Sequence, residues 1–103
     1  MVGRARNMTV RYDPQFLKKL KKLNVRIRKS FKERIILFVH DPNNLELNNH
    51  PLTREYTNFR SIDITNDHRA LYAEKDEGDE TVAYFEEIGI HDELYGKETN
   101  GSN

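Results

Sequence analysis

The chain has 103 residues, no cysteine and a formal net charge of zero. Its length suits one domain that buries enough apolar surface to stand without staples. The lack of cysteine excludes disulfides, a thiolate nucleophile and a cysteine-ligated zinc site, and it fits a reducing compartment such as the cytoplasm. The longest apolar run, Ile35 to Val39, spans five residues, against the roughly 20 that a membrane helix needs. The N-terminus has no apolar segment of signal-peptide type, so no membrane association is expected.

The neutral total is a cancellation. Residues 1 to 40 hold twelve Lys and Arg against Asp13 and Glu33, whereas residues 41 to 103 hold five basic and fifteen acidic side chains. Such asymmetry points to a polyanion-binding surface, or to an acidic partner, in the first half. Solvated lysine-rich helix faces are the plain alternative.

In chain order, residues 1 to 7 read as an N-terminal arm, and Met8 at the head of the first strand suggests that they extend from an upstream start. MTVRY (8–12) alternates as a half-buried strand does, and Asp13-Pro14 then supplies an N-cap followed by proline at the first helical position. Phe16, Leu17, Leu20 and Leu23 fall on one face of the first helix; Lys18, Lys19, Lys21 and Lys22 crowd the other. After a break near Asn24, Ile27, Phe31, Ile35 and Phe38 mark a second amphipathic helix that ends before Asp41-Pro42. Residues 41 to 58 form a long Asn- and Pro-rich connection containing His50. FRSIDI, HRALYAEK and TVAYFEEIGI then read as three strands, the last two joined by the acidic turn Asp76 to Glu80. HDELY (91–95) suits a final helical turn, and residues 97 to 103 have the composition of a frayed tail. The expected fold is α+β: a single small domain, β-α-α-β-β-β, with an antiparallel sheet packed against a helical hairpin. Phe31, Phe38, Tyr72, Tyr84 and Phe85 sit on apolar periodicities and are expected in the core.

RNA carries its own nucleophile, the 2′-hydroxyl. A ribonuclease therefore needs only a base, an acid and cations around the phosphate, and neither metal nor cofactor. Candidate groups are His40, His50, His68 and His91, with Asp63 and Asp67 near them in sequence and Arg54, Arg60 and Arg69 as phosphate ligands. The acidic run 76 to 80 lacks the ligand spacing of a calcium loop, and no two histidines have the short spacing of a zinc site.

Three segments, RYDPQFLKKLKKL (11–23), NNHPLTREYTNFRSIDITNDHRALY (48–72) and EEIGIHDELYG (86–96), resemble the RelE/ParE-type toxins of toxin–antitoxin systems, and within them the YafQ-like branch. The resemblance spans residues 8 to 96. His-Pro-Leu, Arg60, Asp67 and then Gly-x-His-x-x-Leu-Tyr-Gly follow the order of that branch. It implies a RelE-like fold and a metal-independent mRNA interferase that cuts messenger RNA on the ribosome. It also implies silencing by a cognate antitoxin, in a heterotetramer with it. On this reading His50, Asp63, Asp67 and His91 are the catalytic candidates, and Arg60, His68, Arg69, Tyr95, Lys18 and Lys22 contact RNA. The chain departs from the branch at Asp63, where the pattern has a histidine, and at His68, where it has Trp or Tyr. Asp63 is then a base or a holder of Arg60 or Arg69, and His68 a substitute imidazole or a stacking ring. A ParE-like gyrase inhibitor and a degraded toxin that retains only antitoxin binding are the rival readings.

Overall fold

The computed structural model describes residues 7–91 and Leu94. Most of the expected N-terminal arm, Tyr95 and the tail lie outside these residues. The elements are β1 (Asn7–Tyr12), α1 (Pro14–Lys22), α2 (Val25–His40), β2 (His50–Pro51), β3 (Arg60–Asp63), β4 (His68–Glu77) and β5 (Glu80–Ile90), with short 3-10 turns at Leu45–Leu47 and Arg54–Tyr56.

Both helices start where the chain supplies a side-chain acceptor for an orphan amide. Asp13 Oδ1 accepts from Gln15 N at 2.8 Å, and Asn24 Oδ1 accepts from Ile27 N at 3.0 Å. Arg28 closes the hairpin by donating from Nη1 to the Leu23 carbonyl at 2.6 Å. The inward stripe of α1 is the buried Phe16 and the half-buried Leu20, continued by the half-buried Leu23 at the C-cap, at spacings of four and three. Leu17, expected on that face, is 43% exposed because it lies one residue, about 100°, round the helix from Phe16.

The sheet has five strands in the order β1-β5-β4-β3-β2. β3, β4 and β5 form the expected antiparallel meander. The sheet as a whole is mixed, not antiparallel, because β1 lies parallel to β5, with Asn7 opposite Glu80 and Tyr12 opposite Phe85. The helical hairpin and the meander together form a connection long enough to bring the chain back beside β1 in the same direction. Two residues of the expected loop, His50 and Pro51, pair with Ser61 and Arg60 as the far edge strand.

The helices cover one face of the sheet. Phe16, Phe31, Phe38, Ile62, Tyr72 and Phe85 meet there in a buried cluster, with Phe38 and Phe85 rings 4.9 and 5.0 Å from that of Tyr72. Each such side chain contributes about 1.5–3 kcal/mol of burial. Tyr84, expected in this core, is half-buried beneath Lys75 Nζ at 5.6 Å from its ring; as the neighbour of Phe85 in β5 it must face the other way. A smaller cluster, Leu71 and Leu94 with Leu52, Tyr56 and Phe59, forms apart from this core. Among the described residues no helix is long and apolar enough to cross a membrane.

Candidate active site

Strand pairing decides which polar side chains meet. On the face opposite the helices, His50 stands beside Ser61, Ser61 beside Leu71, and Asp63 beside Arg69. The 3-10 turn at Leu45–Leu47 ends on Asn48 in the left-handed conformation, φ 49° and ψ 46°, which Asn tolerates better than most residues. That turn aims both ends of Asn48 at the site. Its carbonyl lies 2.8 Å from His50 Nδ1, and its side-chain amide reaches the Asp63 carboxylate at 3.4 and 3.5 Å.

Asp63 in turn holds Arg69, with Oδ1 2.9 Å from Nε. From the same guanidinium, Nη1 donates to the carbonyls of Thr65, Asn66 and His68 at 3.0, 3.0 and 3.1 Å. The β3–β4 turn is thereby wrapped around one arginine. The Asp67 carbonyl in the same turn accepts from His91 N at 2.9 Å. A continuous chain of polar contacts therefore runs from His50 through Asn48, Asp63 and Arg69 to the turn that carries Asp67, and on to His91. Asp67 and His91 are exposed, while His50, Asp63 and Arg69 are half-buried.

A carbonyl oxygen can only accept, so the contact between His50 Nδ1 and Asn48 requires the proton on Nδ1. Nε2 then carries the lone pair, the form in which an imidazole abstracts a proton. In the same turn Thr65 Oγ1 accepts from Asp67 N at 3.2 Å and His68 N at 3.0 Å, and lies 3.2 Å from His68 Nδ1.

The other candidates are placed as follows. Arg60 faces the helix side, opposite Tyr72, and donates from Nε to Asn49 Oδ1 at 2.8 Å. The Asn49 amide also donates to Tyr72 Oη at 2.7 Å and to the Pro42 carbonyl at 2.9 Å, which pins the connection to the core. Burial raises the Tyr72 phenol above its ordinary value of 10.0, Glu74 adds to the rise, and Asn49 and Arg60 oppose it. His68 and Lys22 line a groove of about 460 Å³ between the end of α1 and the ends of β4 and β5. Lys18 lines a different surface depression, with Pro14 and Arg28. Among the described residues no three His, Asp or Glu side chains are grouped to hold a metal ion. Asn48, Asn49 and Thr65 were not apparent as site residues, although Asn and Thr next to turns commonly bond nearby backbone.

By sequence, no family profile and no curated protein matches the chain. By structure, it has the α+β fold of the RelE, YafQ and YoeB/ParE toxins. YafQ from E. coli superimposes with a TM-score of 0.70 at 22% identity, over 86% of this chain and 99% of that one. The YoeB/ParE toxin from Agrobacterium tumefaciens gives 0.67 at 17%, over 82% and 99%. The toxin of the archaeal RelE–RelB complex from Pyrococcus horikoshii gives 0.64 at 16%, over 82% and 94%.

Proposed function

We propose that the chain is an endoribonuclease toxin of a toxin–antitoxin system that cuts messenger RNA on the ribosome, in the cytoplasm. The observation that supports it best is the polar row from His50 to His91. The ring of His50 stands at one end of this chain of contacts and the backbone N–H of His91 at the other, bonded to the carbonyl of Asp67. His50 Nε2 takes the proton of a 2′-hydroxyl, the oxygen forms a bond to the adjacent phosphorus, and the bond to the 5′-oxygen breaks. His91 returns a proton to that oxygen. Asp67, in the turn whose carbonyl receives His91 N, is the third catalytic group, and the α1 lysines draw the phosphates in. The chemistry is that of general acid–base catalysis and needs no cofactor.

The partner follows from the same fold. YafQ and RelE are found in complexes with DinJ and RelB, and the excess of ten positive charges in residues 1 to 40 suits an acidic antitoxin. A heterotetramer with that antitoxin is the assembly expected. The test is induction in a bacterial host, followed by primer extension on messenger RNA for the wild type and His91→Ala. Growth arrest with new 5′ ends that disappear in the variant supports the reading. Equal cleavage by both proteins ends the site assignment, and arrest with DNA damage and intact mRNA identifies a gyrase inhibitor instead.

A further inference from the structure

The hydrogen bonds around Thr65 fix a second imidazole in the opposite sense to His50. Thr65 Oγ1 accepts two backbone N–H groups, from Asp67 and His68, and these occupy both of its lone pairs. Its own proton is therefore the one directed at His68 Nδ1, 3.2 Å away. With Nδ1 as acceptor, the neutral ring carries its proton on Nε2. His50 thus offers a lone pair at Nε2 and His68 offers an N–H.

His68 belongs to the wall of the groove at the end of α1, with Lys19, Lys22, Leu23, Tyr56 and Leu94. Lys19 is bound to Glu87 at 2.6 Å. Among the described residues Lys22 pairs with no carboxylate, so the groove holds one uncommitted cation and one N–H donor above an apolar wall with an aromatic ring. That combination fits a nucleotide: an anionic phosphate for the polar groups and a flat apolar base for the wall. The groove wall includes His68, which follows Asp67 in the chain, and its strand partner Ile90, which precedes His91.

We propose that this groove seats one nucleotide of single-stranded RNA next to the cut phosphate, its own phosphate held by Lys22 Nζ and His68 Nε2–H and its base lying against Tyr56. The proposal rests on the ribonuclease reading for the identity of the ligand. It makes His68 a phosphate donor, neither a replacement base nor a stacking ring.

The experiment is a binding titration with a fluorescent 2′-O-methyl tetranucleotide, which cannot be cut, at several salt concentrations. Wild type is compared with His68→Phe, His68→Gln and Lys22→Gln, each first matched to it in thermal unfolding. A Gln amide can place an N–H near the Nε2 position, whereas Phe keeps the ring and removes the donor. Expected are binding about tenfold weaker in His68→Phe, most of it restored in His68→Gln, and a salt slope in Lys22→Gln lower by about 0.7. His68→Phe binding as well as wild type, or an unchanged slope in Lys22→Gln, overturns the proposal. Because the readout is binding, failure here with ribosome-bound mRNA still cleaved ends the groove alone. The expected binding pattern with no cleavage of ribosome-bound mRNA ends the acid–base reading alone.

Discussion

Asp63 and Arg69 face each other across β3 and β4 with Oδ1 2.9 Å from Nε, and both side chains are largely shielded, at 26% and 16% exposure. The carboxylate holds the arginine that gathers the carbonyls of the following turn. Removing the charge with Asp63→Asn is expected to cost about 1 kcal/mol, at the top of the range of an exposed pair because the geometry is partly buried and charge-assisted. Arg69→Gln is expected to cost a similar amount, and the double variant less than the total of the two by at least about 0.5 kcal/mol. Urea unfolding of the four proteins measures this, and strict additivity would show that the contact contributes nothing.

The roles assigned to the two terminal imidazoles predict separate losses with an intact fold. His50→Ala and His91→Ala should each lower the cleavage rate by about 10²–10⁴. Asp67→Asn should lower it less, since the backbone carbonyl that receives His91 N is retained. Single-turnover cleavage of ribosome-bound mRNA gives these ratios, and a drop in Asp67→Asn larger than in His91→Ala would reverse the assignment.

Asn48 joins the row at a backbone geometry that a Cβ resists, with φ at 49°. Asn48→Ala is expected to destabilise by about 1 kcal/mol through left-handed strain and loss of the amide. In Asn48→Gly the strain is absent and the carbonyl that orients His50 remains, so stability should stay within about 0.5 kcal/mol of wild type. Thermal unfolding distinguishes the two, and equal losses would mean that the amide, not the backbone, carries the effect.

The buried phenol of Tyr72 predicts an alkaline weakness. In the unfolded chain Tyr72 ionises near its ordinary value of 10.0, while burial holds the native proton to higher pH. Above that value the unfolded state binds fewer protons than the native state, so stability falls as pH rises. Burial does the same to Tyr12. Tyr72→Phe should flatten part of the fall while costing about 1 kcal/mol near neutrality, where the Asn49 hydrogen bond is lost. Denaturant titrations between about pH 8 and about pH 11 follow it, and a fall of unchanged steepness in Tyr72→Phe would place the titrating groups elsewhere.

The helices and the meander were legible because their causes are local: the caps Asp13 and Asn24, the four-residue spacing from Ile27 to Phe31 and Ile35, the alternation in β4. The parallel seat of β1 was not, since Tyr12 meets Phe85 across 73 positions of chain, and no short pattern records such a distance. Tyr84 shows the same limit at close range, where adjacent aromatics in a strand compete for one face. For the candidate site, His50 and His91 are proposed from chemical need and motif order, and Asp67 mainly from motif order. The roles of Asn48 and Thr65 were not legible, because each depends on which atom of a turn points at which imidazole nitrogen.

The position of β5 in the sheet has a consequence for how the protein comes into being. It lies between β1 and β4, yet among the described strands it is the last in chain order, so everything before residue 80 leaves β1 without its neighbour and the core open on one side. Native contacts between residues so far apart in sequence close slowly compared with local ones. On the ribonuclease reading, a chain released early would be inert, and assembly of the acid–base row waits for the segment ending at His91.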